Sequence, residues 1–262
     1  MKVIFHSDFY KVYASEPAAA PGRMESVIKC LGNSFDMVQA IAAEAEDIEA
    51  VHSESHIARV WQQGLYRISA LAAGGAVQAA AIGLKEPAFA LIRPPGHHAS
   101  RNDSWGFCYF NNMAVALTHL LNNGRIKTAA VLDFDLHYGD GTENIFSGTG
   151  LVDMFNPEGI DRKTYLAEVA SFLNGLRVDI IGISAGFDSH ESDWGGLLKT
   201  DDYNESDRGG FLKTDDYFVM GHMVKEAARK TGAGYFGILE GGYSHSVLGQ
   251  NVLALLQGMA QR

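Results

Sequence analysis

The chain has 262 residues, 47% of them hydrophobic and 20% charged, with a formal net charge of −10. That is room for one large α/β domain with a substantial core, and the acidic balance argues against non-specific nucleic-acid binding while suiting a cationic substrate. Two cysteines, Cys30 and Cys108, cannot make a disulfide framework, so a reducing, cytoplasmic setting is expected; no run approaches a membrane span, and the N-terminal apolar run is too short for a signal peptide.

In chain order, Val3-Ile4-Phe5 reads as a first strand, with His6, Ser7 and Asp8 at its end. Residues 16–23 read as a loop, and a helix follows over 24–31, closed by Gly32. The pattern predicts a second, acidic helix over 35–46. A helix over 52–64 sets His56 and Val60 on one face, with His52 and His56 read as helix surface or as a polar contact between helices. Residues 66–84 are rich in Ala and Gly and carry no charge after Arg67, which predicts close helix packing. A strand over 88–92 runs into Arg93-Pro94-Pro95-Gly96-His97-His98. Asn111 caps a helix over 113–121, and the apolar run 128–132 is a buried strand. A short helix over 142–146 and a Gly-rich turn precede an amphipathic helix over 161–173. An apolar strand over 178–184 ends in Ala185-Gly186-Phe187-Asp188. A helix over 217–230, a strand over 235–239 and a helix over 245–259 complete the pattern. Strands alternating with helices predict a mostly parallel sheet covered on both faces, with its chemistry at the strand ends.

Four strand ends carry polar groups that a buried strand does not need. Asp133, Asp135 and His137 follow the run at 128–132 at a spacing of two, which in extended backbone puts all three on one face. Three polar groups at the end of a buried strand are costly unless something pairs them, and a metal ion does so; the alternative is an Asx-rich turn. Gly139 and Gly141 turn the chain and leave Asp140 near the site. Asp135, His137 and Asp188 make a three-ligand set of one imidazole and two carboxylates, with a position open as in catalytic zinc sites; the alternative for Asp188 taken alone is a helix cap. His97-His98 has the composition of a proton-transfer pair, with metal ligation or loop surface as the alternatives. Asp133 and Asp140 are the carboxylates available to orient them. Tyr243, after Gly241 and Gly242, reads as an electrophile on a backbone close to the substrate, or as a core aromatic. The aromatics of 106–112 read as a channel wall or as core.

Arg-Pro-Pro-Gly-His-His-Ala (93–99), Gly-Phe-Cys-Tyr-Phe-Asn-Asn (106–112), Leu-Asp-Phe-Asp-Leu-His-Tyr-Gly-Asp-Gly-Thr (132–142), Ser-Ala-Gly-Phe-Asp-Ser-His (184–190) and Leu-Glu-Gly-Gly-Tyr (239–243) resemble, in order, the zinc-dependent histone deacetylase and acetylpolyamine amidohydrolase family. The resemblance implies the arginase/deacetylase fold, a three-layer α/β/α sandwich over a single domain at 1–262, and amide hydrolysis that releases acetate. It assigns Asp135, His137 and Asp188 to Zn2+, with Fe2+ as the alternative ion in the cell. It makes His97 and His98 the catalytic histidines, with His98 the general base and acid, and Asp133 and Asp140 their carboxylate partners. Tyr243 polarises the carbonyl, and Gly106, Phe107 and Gly241 contact the substrate. The family's structural K+ sits beside Asp133, Asp135 and His137 through backbone carbonyls.

Two features depart from that pattern. The segment 148–156 is short where longer members carry an extra strand and loops, which puts the K+ site and one channel wall in question. Residues 191–204 are nearly repeated as 205–218, which resembles a tandem duplication in the loop after Asp188. The substrate is an acetylated polyamine or an acetyl-lysine side chain. The acidic charge and a rim position for Glu16 suit the polyamine. A degenerate member that binds zinc or acylated ligands without turnover and a manganese ureohydrolase are the rival readings; the oligomeric state stays open.

Overall fold

The apolar runs read from the sequence become the middle of a sheet. The computed structural model describes residues 1–194 and 210–260. Its strands are β1 (Lys2–Phe5), β2 (Asp36–Gln39), β3 (Ala88–Ala90), β4 (Ala129–Asp133), β5 (Val152–Phe155), β6 (Ile180–Ala185) and β7 (Gly234–Leu239). They form one parallel sheet in the order β2-β1-β3-β7-β6-β4-β5. Every residue of β3, β4 and β6 is buried, as strands covered on both faces require.

The helices are α1 (Arg23–Leu31), α2 (Ala45–Glu49), α3 (Glu54–Gln62), α4 (Tyr66–Gly83), α5 (Asn112–Asn122), α6 (Asp140–Phe146), α7 (Arg162–Gly175), α8 (Thr214–Thr231) and α9 (His245–Ala260). α4 and α5 pack together on one face of the sheet, while α1, α9, α8 and α7 form a connected layer on the other. The caps obey local chemistry. Ser53 accepts from His56 N–H, Asn111 from Ala114 N–H and Asp161 from Thr164 N–H. The small residues of α4 let it press on the chain beside it: a Cβ on Gly74 would strike the Ile41 carbonyl, and one on Gly75 would lie 2.8 Å from Ile92.

Two expectations are corrected. Residues 35–46 do not form one helix; they give β2 and then α2. β2 is an edge strand paired only with β1, and three of its four residues are exposed, so no apolar pattern announces it. The segment after α6 likewise holds a strand, β5, paired to β4 with Leu132 opposite Phe155. Most of the repeat at 191–218 falls on 195–209 and so lies outside the described residues. The described flanks, 191–194 from the first copy and 210–218 from the second, meet where Glu191 N–H donates to the Leu212 carbonyl (2.9 Å).

Candidate active site and metal centre

The strand order sets the C-terminal ends of β3, β7, β6 and β4 side by side, so four motifs far apart in sequence open onto one place. Asp135 and His137 follow β4, and Asp188 follows β6. One donor atom from each lies within 4.8 Å of the others. Backbone donors orient the carboxylates: Gly241 N–H to Asp135 Oδ2 (2.8 Å), His137 N–H to Asp135 Oδ1 (3.0 Å) and Leu136 N–H to Asp188 Oδ1 (3.1 Å). A Cβ on Gly241 would lie 2.5 Å from Asp135 Oδ2 and 2.7 Å from Asp188 Oδ2, so this position has room only for glycine.

The electrostatics of the three are unbalanced. Burial lifts Asp188 above the usual carboxylate range, and the Asp135 charge lifts it further. Burial works against His137 as a cation, yet the two carboxylates outweigh it and raise its pKa to about 11. Asp188 Oδ2 is buried and accepts no hydrogen bond, although it lies 3.2 Å from His137 Nδ1. A buried, unpartnered carboxylate oxygen beside a second carboxylate and an imidazole fits a divalent cation, and this O,N donor set suits zinc or iron(II).

The structure sets each of the two histidines against one carboxylate. His97 Nδ1 lies 3.1 Å from Asp133 Oδ2, and His98 Nδ1 lies 2.7 Å from Asp140 Oδ1. Each Nδ1 faces a carboxylate, which leaves Nε2 for the site. Trp105 stacks on the His98 ring at 3.8 Å and donates from Nε1 to Asp140 Oδ2 (2.9 Å). Burial lowers both rings. At His97 the Asp135 and Asp133 charges win and lift its pKa to about 10, whereas at His98 the His97 charge adds to burial and takes it down to about 4. Gly106 (φ +58°) lies against His98, and Phe107 (φ +67°) is, among the described residues, the non-glycine with positive φ. Such strain gathers at functional sites.

Tyr243 is held from both sides. Its N–H and that of Ser244 donate to Asp193 Oδ2 (2.8 and 2.7 Å). Arg23 donates to the Gly242 carbonyl (2.9 Å) and the Glu240 carbonyl (2.6 Å) and lies over the Tyr243 ring. Phe107 meets that ring edge-on with centroids 5.8 Å apart, and Trp194 lies at 5.6 Å. Burial first, then the charges of Asp188 and Asp135, pushes the Tyr243 hydroxyl well above its ordinary pKa, so it stays a donor.

Sequence reasoning missed Glu240, Arg23, Trp105 and Asp193. Glu240 follows β7, and its Oε2 accepts from Gly96 N–H (2.6 Å) and His97 N–H (3.3 Å), which ties the histidine loop to the end of that strand. It carried the same signal as Asp133, an acid at the end of an apolar run. His52 and His56 lie buried, not at the surface, as polar struts: His52 accepts Asn111 N–H (2.9 Å), and His56 Nε2 meets the Tyr109 carbonyl (2.6 Å). Glu16 is partly buried; it accepts from the Tyr109 hydroxyl (3.0 Å), and burial raises its pKa to about 7. The Asp133 carbonyl, one donor of the expected K+ site, instead accepts Asn156 Nδ2 (2.9 Å), while Gly139 N–H meets Asn156 Oδ1 (3.4 Å).

A family model described as "Histone deacetylase domain" matches residues 18–165. A "probable deacetylase" of Methanothermobacter thermautotrophicus is 30% identical across 98% of this chain and 90% of its own length. The alignment runs to 314 positions against 262 residues, so that relative carries residues this chain lacks. A second "probable deacetylase", from Archaeoglobus fulgidus, is 32% identical over 60% of this chain and 58% of its own, and histone deacetylase 18 of Arabidopsis thaliana is 34% identical over 50% and 20%. The crystal structure of the HDA15 HD domain superposes with a TM-score of 0.81 over 100% of this chain and 90% of that one, at 21% identity, which shows the same fold.

Proposed function

The chain belongs to the histone deacetylase family, and from that premise we propose that it is a zinc-dependent amidohydrolase that removes acetyl or other short acyl groups from amines. Acetylated polyamines and acetyl-lysine side chains are the substrates we assign to it. One observation carries the reading: a buried carboxylate–imidazole–carboxylate set with an unpartnered oxygen, flanked by an oriented histidine pair and by Tyr243.

Asp135, His137 and Asp188 would hold the ion. When bound, zinc supplies Lewis acidity to the acyl carbonyl and to the attacking water. His98 is neutral near pH 7 and takes the proton from that water, with Asp140 fixing its Nδ1 and Trp105 its ring plane. Tyr243 donates its hydroxyl hydrogen bond to the carbonyl oxygen as that oxygen gains charge. His97, its Nδ1 held by Asp133, stands beside the reacting centre as the second imidazole of the pair. His98 then returns its proton to the departing amine as the C–N bond breaks, leaving acetate and a free amine.

The test is acetate release by purified, zinc-loaded protein, with an acetylated polyamine run beside an acetyl-lysine peptide. Tyr243→Phe should lower kcat about 10²–10³-fold at unchanged zinc content, as loss of one oxyanion donor does. Zinc bound stoichiometrically with no release from either substrate would leave a ligand-binding protein and sink the hydrolase.

A further inference from the structure

A second group of metal-ligating side chains lies outside the Asp135–His137–Asp188 set. His97, Cys108 and Glu240 each offer one donor atom, and these lie within 4.8 Å of one another. They come from the loop after β3, from the 106–112 loop and from the end of β7. All three are buried, with relative exposures of 3%, 2% and 0%.

Their hydrogen bonding leaves room for an ion. Glu240 spends Oε2 on the N–H groups of Gly96 and His97, but its Oε1 is buried with no hydrogen-bond partner. Cys108 Sγ donates a long hydrogen bond to the Gly106 carbonyl (3.6 Å) and also meets the His98 backbone. His97 commits Nδ1 to Asp133 and keeps Nε2. Buried acids with an unpartnered oxygen are costly, and a dication matches the two negative charges that a thiolate and a carboxylate would bring. One sulfur, one nitrogen and one oxygen donor form a zinc-type set with a coordination position to spare.

We propose that His97, Cys108 and Glu240 form a second site for a zinc-class divalent cation, which fills after the Asp135–His137–Asp188 centre and takes His97 out of its role there. The order follows from chemistry. The second site must displace a proton from a buried thiol and one from His97 Nε2 before it can bind, whereas the first offers two carboxylates and one imidazole. The second metal site stands on these residues alone, and the loss of His97's role rests on the deacetylase reading.

Cobalt(II) tests it without any activity measurement. Metal-free protein is titrated with Co2+ and followed by absorption. The first equivalent should give d–d bands without a thiolate-to-metal charge-transfer band, because Asp135, His137 and Asp188 contain no sulfur. The second should bring that band. Cys108→Ser should abolish the band and the second equivalent yet keep the first, which also shows that the variant is folded. Cys30→Ser should leave both. Native mass spectrometry should count two zinc ions on the unaltered chain and one on Cys108→Ser. No thiolate band at excess cobalt, a band that survives Cys108→Ser, or a band with the first equivalent would each overturn the proposal.

Discussion

Adjacent in the chain, with ring centroids 4.0 Å apart, His97 and His98 meet different surroundings. Two buried carboxylates face His97, whereas His98 has one half-exposed carboxylate and the His97 charge beside it. Such divergence separates the roles of two like groups. Because His98 is depressed to about 4, the neutral base persists as pH falls through 6.5, where an ordinary histidine would protonate. The acid limb of kcat/KM should therefore lie below 6.5, with metal content checked at each pH. Asp140→Asn should cost about 10–100-fold in kcat/KM at unchanged metal content, since it loosens the ring without touching a ligand; a variant as active as the parent would show that Asp140 does not orient His98. The histidines and aspartates were legible because each is a polar group ending an apolar run. Arg23 was not: it opens a helix, and its partners are carbonyls of residues 240 and 242, which no local pattern encodes.

Among the elements, legibility followed burial. The strands of the sheet's middle were read from their apolar runs, whereas β2 and β5, at its two edges, were not. An edge strand is paired on one side and wetted on the other, so partner pairing decides it more than its own residues do. β5 matters beyond its size because Asn156 follows it and its carboxamide donates to the Asp133 carbonyl. An amide nitrogen thus uses one lone pair of a carbonyl that the resemblance gives to potassium. The protein should melt at the same temperature in potassium chloride as in choline chloride of equal ionic strength. A rise in Tm specific to potassium would mean that the Asn156 contact gives way to the ion. Asn156→Ala should lower stability by about 1 kcal/mol in either salt, the ordinary worth of one hydrogen bond.

At the scale of the molecule, the proposed metal centre and the core are separable. The ligands sit at the strand ends, while the apolar cluster lies beneath them and needs no ion. Chelation should lower Tm yet leave the far-UV circular dichroism at 25 °C unchanged. A ligand held at 100 times its Kd contributes about 2.7 kcal/mol to the native state. Unfolding on chelation at that temperature would mean that the buried carboxylates cannot be tolerated without the ion. The sheet order carries one more consequence, for synthesis. β7, the last strand in the chain, lies between β3 and β6. Until it emerges from the ribosome, the nascent protein owns two half-sheets, β2-β1-β3 and β6-β4-β5, each with an open edge facing the gap. The histidines belong to the first half and the metal ligands to the second. Placing β7 therefore closes the sheet and brings the two halves of the candidate site together in one step, and a chain stalled before residue 234 presents two sticky edges.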